Sequence, residues 1–493
     1  MKNEKYAATQ NPEDSIYEML ENDFQCKNTD YGVLVTIETV NGKEDVLLKN
    51  EKFHGILANR YRKEYGEIVK PSIIKSCILS YYGQVLEEYA KVKNSNRCDR
   101  REDGSILIDS GDLEDTYVVI SKDGFEIEEN GSAYFYKHSR KGEIPYPDME
   151  NADINRIFKY CRVPQDMKRV FIAYLVSLFI GDIEHPCLVL NGSQGSGKTT
   201  MSTFIKALID PVADNKPSLF PKNDADLALM FRDNYLVAFD NLQTLNARLS
   251  DKLCTIVTGI TESRRKLYTD DEMVHFDLCQ PIILNGIHDI VKREDMLSRC
   301  IIMNLEKSVG KDAGASEKVA LTEEFMNDRP IILGGIFNIL KEVLCYYEPN
   351  SAPRAGHDIR MSSFFDYGYW ICAIWNEEAT GEAFCNEYIT LLERQLKGFR
   401  KNTDLIELIK GFLEGYDLPW EGTMSELLTG LKNTKELLAE IYENTKIPLT
   451  PNRLSREINN LKTELEAAGI IVEMTKTKNN SRYIILTLEE NEE

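Results

Sequence analysis

The chain has 493 residues, a formal net charge of −21 and a hydrophobic fraction of 42%. This length exceeds what one hydrophobic core usually organises, so we expect about three domains of an ordinary globular protein. The acidity disfavours nonspecific binding to nucleic acids, and any contact with DNA must come from a locally basic surface. The 11 cysteines form no CxxC or Cys/His cluster, which predicts reduced thiols and neither a zinc site nor a disulfide framework.

No segment of the sequence is typical of secretion or membrane insertion. The first residues are polar and lack the apolar core of a signal peptide. The longest apolar stretch, residues 170–180, is far shorter than the roughly 20 residues of a membrane span, and we expect a buried helix there. These features predict a cytoplasmic protein without a membrane partner.

The N-terminal third is expected to form a small α+β domain. Residues 1–30 are polar and weakly patterned, which predicts a flexible lead-in. Residues 31–148 carry both alternating and helical apolar patterns and make up the α+β domain. Its predicted strands are 33–37, 105–109 and 116–120, and its predicted helices are 52–65 and 72–92. The Pro/Gly-rich stretch 141–148 is expected to end it.

A glycine-rich loop lies between the apolar residues 188–190 and a segment with helical apolar spacing. It comprises Gly192, Ser193, Gln194, Gly195, Ser196, Gly197, Lys198, Thr199 and Thr200. Glycines let backbone N–H groups approach phosphate oxygens, and the N-terminus of the following helix adds a positive dipole end. We expect Lys198 to reach the β and γ phosphates and Thr199 to place its hydroxyl on Mg²⁺. The pattern predicts a binding site for ATP with Mg²⁺.

Strand and helix signals alternate through residues 149–305, which predicts a parallel sheet covered by helices. One apolar strand ends in Asp240, a carboxylate placed to hold the metal together with Thr199. A later apolar strand ends in Asn285, and Arg299 precedes the last strand, 300–304. Together with the glycine-rich loop, these residues form a pattern that is typical of an ATPase.

A hairpin is predicted between Asp240 and Asn285. Residues 263–276 indicate two strands around a tip. Its candidate DNA contacts are Arg264, Arg265, Lys266 and His275. The tip itself is acidic, at 270–272, and would repel phosphate.

Four short phrases in this region carry a family resemblance. They are Phe-Asp-Asn at 239–241, Arg-Lys-Leu-Tyr-Thr-Asp at 265–270, Pro-Ile-Ile-Leu-Asn-Gly-Ile at 281–287 and Asp-Met-Leu-Ser-Arg at 295–299. They resemble superfamily 3-like AAA+ helicases of phages and integrating mobile elements, including the helicase half of phage and poxvirus primase-helicases. The resemblance is specific from about 160 to 305 and looser elsewhere.

The resemblance implies an α/β fold with a P-loop AAA+ core and a presensor β-hairpin. It also implies that Asn285 orients the attacking water and that Arg299, with Arg293 second, acts as an arginine finger in a neighbouring subunit. The assembly implied is a ring, most often a hexamer, whose hairpins line a DNA channel. Arg354 and Arg360 are further candidates for sensing the γ-phosphate.

One residue departs from the family pattern. Many AAA+ enzymes carry Glu beside the metal-binding Asp, whereas this chain has Asn241, whose amide cannot act as a general base. Either another carboxylate such as Glu262 takes that role, or positioning and metal charge suffice, or turnover is slow.

The C-terminal third is expected to be helical, with a DNA-binding end. Residues 306–415 predict a helical lid or connector, and 416–493 predict three helices, at 424–431, 435–442 and 451–468, followed by a hairpin, the order of a winged helix. Its basic candidates for phosphate contact are Arg453, Arg456, Lys476, Lys478 and Arg482. A solvated face used for protein contact is the alternative, because acidic residues share the last helix.

Two functions from different classes are therefore open. The first is a ring-forming, ATP-dependent DNA helicase or translocase in the replication of a mobile element. The second is an AAA+ ATPase that acts as a nucleotide-dependent switch or assembly factor, for example in phage defence. The hairpin and the winged helix favour the first, whereas Asn241 and the charge of −21 favour the second.

Overall fold

The computed structural model of the protein describes most of the chain. The described residues are 11–40, 42–112, 116–129, 135–138, 140–265, 273–287, 290–306, 315–376, 381–416, 419–438, 445, 447–476 and 482–488. They belong to two compact units, Met1–Thr390 and Leu391–Glu493. None of the helices in these ranges is long and apolar enough to cross a membrane.

The first unit begins with three helices on an antiparallel sheet. Its elements are α1 Pro12–Asp23, β1 Cys26–Thr29, β2 Gly32–Thr39, β3 Gly42–Leu47, α2 Glu51–Tyr65 and α3 Pro71–Glu88, with sheet order β1-β2-β3. Ile16 and Leu20 of α1 are fully buried in this core. The prediction of a flexible lead-in is therefore wrong for α1, while residues 1–10 lie outside the described ranges. Asn11 caps α1 and an apolar stripe is hidden among its acidic residues.

A second antiparallel sheet follows in the order β4-β5-β6-β7. Its strands are β4 Cys98–Arg100, β5 Ile106–Asp109, β6 Thr116–Ser121 and β7 Gly124–Glu129. The predicted connector 141–148 is fixed by backbone hydrogen bonds, from Gly142 N to Pro211 O at 2.8 Å and from Asp148 N to Pro330 O at 2.9 Å. The compact unit thus continues past 148, and the finer division into domains stays a prediction.

The predicted parallel sheet is confirmed, and the protein has a mixed α/β fold. The strand order is β14-β8-β13-β10-β9, and every pairing in it is parallel. Its strands are β8 Cys187–Asn191, β9 Ser218–Leu219, β10 Val237–Leu242, β13 Ile282–Gly286 and β14 Cys300–Asn304. The helices of this region are α4 Ile157–Tyr160, α5 Lys168–Ser177, α6 Lys198–Ile209, α7 Asp224–Asp233, α8 Ala247–Thr258 and α9 Glu294–Leu297. The apolar stretch expected as a buried helix contains most of α5, which is buried from Val170 onward.

The predicted hairpin is also confirmed. Strands β11 Ile260–Arg265 and β12 Met273–Leu278 pair antiparallel, with Ser263 opposite His275 and Arg265 opposite Met273. They lie in the chain between α8 and β13, where the sequence predicts them. Their tip, 266–272, lies outside the described residues, as do the side chains of both strands up to 277.

Long helices complete the first unit and lead into the second. They are α10 Ala315–Tyr346, α11 Ser362–Trp375 and α12 Gly381–Leu413, as the helical signals predict. A Cβ on Gly334 of α10 would collide with Asp148 O, and one on Gly335 with Ile154 N. Both glycines are therefore required by the close approach of residues 148–154 to this helix.

The second unit contains a small helical core and a three-stranded antiparallel sheet. Its elements beyond α12 are β15 Trp420–Thr423, α13 Met424–Leu437, α14 Pro451–Asn460, α15 Lys462–Ala467, β16 Ile470–Lys476 and β17 Arg482–Leu488, with sheet order β15-β17-β16. Leu454, Ile458 and Leu465 are fully buried in its core. The predicted helix 424–431 and the start of 435–442 form one helix, α13, and residues 439–444 lie outside the described ranges.

Candidate nucleotide-binding site

The glycine-rich loop connects the carboxyl end of β8 to the N-terminus of α6, as predicted. A Cβ on Gly192 would lie 2.5 Å from Leu305 O and 2.6 Å from Ser196 Oγ, so only glycine fits there. Gly197 caps α6 with a left-handed φ of 92°. The loop residues 193–195 are exposed, and this opening at a helix N-terminus is suited to anionic phosphates.

Lys198 is the first residue of α6 and folds back over the loop. Its Nζ donates to Gly192 O at 2.5 Å and to Ser193 O at 3.0 Å, and the residue is 9% exposed. Burial lowers the pKa of Lys198, while the charge of Asp240 acts in the opposite direction. A phosphate oxygen arriving at the loop would compete with these two carbonyls for the ammonium group.

Thr199 and Asp240 meet at the mouth of the loop. The Thr199 hydroxyl donates to Asp240 Oδ2 at 2.9 Å, and the backbone N–H of Asn241 donates to Asp240 Oδ1, also at 2.9 Å. One carboxylate oxygen is thus oriented by its own strand, while the other faces the first turn of α6. A hydroxyl and a carboxylate brought together are oxygen ligands that fit Mg²⁺.

Asn285 lies on β13, the strand between β8 and β10. It is 0% exposed, and its Nδ2 donates to Ser202 Oγ of α6 at 2.9 Å. Ser202 in turn donates to the carbonyls of Lys198 and Thr199, each at 3.1 Å. The sequence predicts Asn285 but misses Ser202, because no pattern along the chain indicates a contact over 83 positions. Through Ser202, Asn285 is connected to Lys198 and Thr199, the first two residues of α6.

Asn241 adopts a left-handed backbone, with φ of 59°, and is exposed. Asparagine tolerates this conformation better than most residues. The alternative base Glu262 lies on β11, where only the backbone is described.

Arg299 lies at the amino end of the parallel strands, whereas the glycine loop lies at their carboxyl end. The residue after it, Cys300, is paired with Cys187 at the start of β8, whereas the loop begins about 16 Å further along that strand. Its guanidinium is ion-paired with Asp295, and its side chain is 14% exposed. Arg299 is therefore out of reach of the glycine loop in its own subunit.

The other candidate arginines occupy ion pairs as well. Arg293 pairs with Asp251 at 3.0 Å and is 45% exposed. Arg354 lies in the loop before α11 and pairs with Asp366 at 3.1 Å, while Arg360 of the same loop lies 3.8 Å from Asp358.

Two family models match the chain. Residues 154–393 match the replication protein of actinomycete integrative conjugative elements, and residues 403–493 match the C-terminal domain of the same kind of protein. The chain is similar to these replication proteins. The first match covers the whole parallel sheet and the glycine loop, and the interval between the matches lies within α12.

Comparisons beyond the replication-protein family are weaker. No curated protein matches the chain significantly. The apo C-terminal region of NrS-1 has a TM-score of 0.40 and 12% identity, covering 96% of this chain and 98% of that one. The SCCmec type IV Cch, described as an active helicase, has a TM-score of 0.41 and 10% identity, covering 92% of this chain and 90% of that one. Both TM-scores are too low to argue from.

The candidate DNA contacts are divided between the two family matches, with the hairpin residues in the first and the C-terminal residues in the second. In the first, Arg264 and Arg265 end β11 and His275 lies on β12, but their side chains and all of Lys266 lie outside the described residues. In the second, Arg453 and Arg456 are exposed on α14, on the face away from the buried Leu454.

The remaining basic candidates lie on the C-terminal hairpin. The backbones of Lys476 and Arg482 are opposite each other where β16 and β17 meet their turn, while their side chains and all of Lys478 lie outside the described residues. The structure thus places two of the five C-terminal candidates at the hairpin end and two on α14.

Proposed function

We propose that the protein is a Mg²⁺-dependent ATPase of the AAA+ class that acts on DNA during replication of a mobile element. The observation that carries this proposal is the contact of Thr199 with Asp240 beside a loop that only glycine can form at Gly192. The family matches support the replication role, because they cover the ATPase core and the C-terminal unit.

The residues of the site divide the work of phosphoryl transfer. The loop N–H groups and Lys198 bind and orient the phosphates, and Thr199 and Asp240 hold Mg²⁺. The metal, when bound, supplies positive charge that offsets the charge developing on the transferred phosphoryl group. Asn285 fixes the first turn of α6 through Ser202, and its proposed role in hydrolysis is to position the attacking water.

The proposed assembly is a ring, most simply a hexamer, in which Arg299 completes the site of a neighbouring subunit. Its place at the amino end of the strands supports action in trans, since it is out of reach of its own loop at their carboxyl end. Its ion pair with Asp295 must open for this role. An arginine finger raises the turnover of related NTPases by about 10³- to 10⁵-fold.

The C-terminal unit is proposed to be a winged helix that binds DNA. In support, the strand order β15-β17-β16 and the chain order strand, helices, hairpin agree with that topology. Arg453 and Arg456 are exposed on the helix expected to face DNA, and Lys476 and Arg482 lie at the base of the wing. This local basic surface would offset the charge of −21.

The alternative, a nucleotide-dependent switch without unwinding, is favoured by Asn241. An exposed amide beside Asp240 cannot accept a proton from water, which is consistent with slow hydrolysis. A switch needs only slow turnover, whereas a translocase must hydrolyse ATP as it moves.

ATPase and strand-displacement assays separate the two proposals. We expect Mg²⁺-dependent hydrolysis that DNA stimulates at least fivefold, and ATP-dependent displacement of an annealed strand. Lys198→Ala should lower kcat by at least 100-fold, because the phosphates lose their cation, and Lys159→Ala, on the surface helix α4, is the matched control. Hydrolysis that DNA does not alter, with no DNA binding, would support the switch and refute the helicase.

A further inference from the structure

A cluster of buried charges lies at the end of α6 that is remote from the glycine loop. Lys206 and Asp210 are at this end, with side chains 5% and 4% exposed. Arg97, just before β4, is 0% exposed. Charged groups are removed from water only where their partners are close, so the contacts of these three groups define the role of the cluster.

Asp210 joins the end of α6 to the beginning of β10. Its Oδ2 accepts from the backbone N–H groups of Tyr235 at 2.9 Å and Leu236 at 3.1 Å, which lead directly into that strand. Lys206 strengthens the same junction, because its Nζ donates to Leu236 O at 2.7 Å and to Asn234 Oδ1 at 3.1 Å. The two elements are thus fixed together at one end.

Arg97, which immediately precedes β4 of the second antiparallel sheet, holds Asp210 in place. Its Nε donates to Asp210 Oδ1 at 3.2 Å. Its Nη2 donates to Gly142 O at 3.1 Å and Pro211 O at 3.3 Å, and its Nη1 donates to Asp109 O at 3.1 Å. Every nitrogen of the guanidinium is therefore engaged, which a lysine could not reproduce.

The carboxylate of this junction remains charged. Burial alone would raise the pKa of Asp210, but the cations of Lys206 and Arg97 and the N–H of Leu236 hold it well below its usual range. Asp210 can therefore accept all of its hydrogen bonds at neutral pH.

The same two elements meet again at the nucleotide site. The opposite end of α6 carries Thr199, and the opposite end of β10 carries Asp240, in contact at 2.9 Å. A helix of 12 residues is about 18 Å long and stiff, so a shift at one end changes the position of the other. The distance between Thr199 and Asp240 thus depends on the junction at Asp210.

We infer that Arg97 and Asp210 are positioning residues for the metal site, acting through α6 and β10. Arg97 lies before residue 154 and hence outside the first family match, so a residue outside that match contributes to the geometry of the ATPase core. The inference rests on the proposed ATPase function. Neither residue touches the nucleotide; each acts by fixing the approach of Thr199 to Asp240.

The test compares two substitutions at Arg97 with a matched control in the full-length protein. Arg97→Met keeps bulk without charge, and Arg97→Lys keeps charge without the fork. Arg101→Met is the control, because Arg101 directly follows β4 and forms an ion pair with Glu128 of β7 rather than with Asp210. The measurements are kcat and KM for ATP, the Mg²⁺ concentration that gives half-maximal hydrolysis, and the Kd of ATP in EDTA.

For Arg97→Met we expect kcat to fall at least tenfold and the half-maximal Mg²⁺ concentration to rise at least fivefold, while the Kd of ATP in EDTA changes less than twofold. Arg97→Lys should recover part of both losses, and Arg101→Met should match the wild type. The Mg²⁺ requirement separates positioning from a general loss of folded protein, which would leave it unchanged.

Three results would overturn the inference. The first is an Arg97→Met protein with wild-type kcat and Mg²⁺ requirement, and the second is a metal-free ATP affinity that falls in parallel with kcat. The third applies if Arg97→Met does not fold: a folded Arg97→Lys protein whose half-maximal Mg²⁺ concentration equals that of the wild type would also overturn the inference. A wild-type protein without hydrolysis refutes the proposed function and the inference together, whereas wild-type hydrolysis with unaltered variants refutes the inference alone.

Discussion

The carboxylate of Asp240 is oriented by two donors of different kinds. The Thr199 hydroxyl occupies one oxygen and the Asn241 backbone N–H the other, so the next residue contributes through its main chain. The missing acidic side chain is therefore separable from the orientation of Asp240.

Asn241→Gly tests this separation. Glycine adopts φ of 59° without strain and keeps the N–H that orients Asp240. We expect kcat to stay within about threefold of the wild type and the free energy of unfolding to change by less than about 0.5 kcal/mol. ATPase kinetics and urea unfolding measure the two quantities.

Asn241→Leu is the companion variant to Asn241→Gly. A branched side chain at this left-handed φ should lower the free energy of unfolding by about 1–2 kcal/mol. A kcat reduced 100-fold in the glycine variant with normal stability would instead make the amide side chain a direct participant in hydrolysis.

Site residues that belong to a short sequence motif could be predicted. Residues whose partners are distant in the sequence could not. Gly192, Lys198 and Asp240 are predicted, because glycine at a strand end and an acid after an apolar strand are visible in short windows. Ser202 and Arg97 have no such signal. Arg97 donates to Asp210, 113 positions away, and only the fold brings them together.

Among the elements, those with long apolar runs are predicted and the short polar ones are missed. The strands β8, β10, β13 and β14 of the parallel sheet appear as apolar runs. In contrast, β1 reads Cys-Lys-Asn-Thr and β15 reads Trp-Glu-Gly-Thr. These two are strands because a partner strand, β2 or β17, offers its hydrogen-bonding edge.

The helix α14 has a buried and an exposed side with separate uses. Leu454 and Ile458 are fully buried, while Arg453 and Arg456 are exposed. Thr450 caps the helix and Pro451 occupies its first turn, so its N-terminus is well defined. Substitutions on the exposed side should therefore leave the fold intact.

Arg453→Ala and Arg456→Ala should each weaken DNA binding. Each loses one phosphate contact, so the slope of log Kd against log salt concentration should decrease by about one per substitution, with similar losses on unrelated DNA sequences. Fluorescence anisotropy at several salt concentrations measures the slope.

The control for these variants is Arg248→Ala, since Arg248 is a 79% exposed arginine on α8 that pairs with Asp224. If both α14 variants keep the wild-type salt dependence, the exposed side of α14 contacts a protein rather than DNA.

For the whole molecule, the position of Arg299 makes a prediction about assembly. Lys198→Ala and Arg299→Ala should each be inactive alone. When mixed before ATP is added, they should recover ATPase activity, because a subunit with an intact Lys198 then adjoins one with an intact Arg299. Mass measurement with ATP should give a multiple of the 56.5 kDa chain.

The pairing of Arg299 with Asp295 suggests the control. Asp295→Asn removes the ion pair but leaves Arg299 in place. This variant should therefore retain ATPase activity both alone and when it is mixed with Lys198→Ala or Arg299→Ala. A mixture that stays inactive while the proteins co-assemble would mean that Arg299 supports only its own subunit. A protein that remains a monomer with ATP would exclude action in trans.

The helix α10 contains residues that are unfavourable in a helix. Pro330 lies within it and Gly334 and Gly335 follow, which together cost about 5 kcal/mol relative to alanine. In return, the backbone of residues 148–154 lies directly against the helix, and Asp148 N reaches Pro330 O. The Pro/Gly-rich connector 141–148, which the sequence predicts to end the N-terminal domain, is thus bonded to α10 at Asp148. Replacing Gly334 and Gly335 to make α10 a better helix would therefore push residues 148–154 away from it.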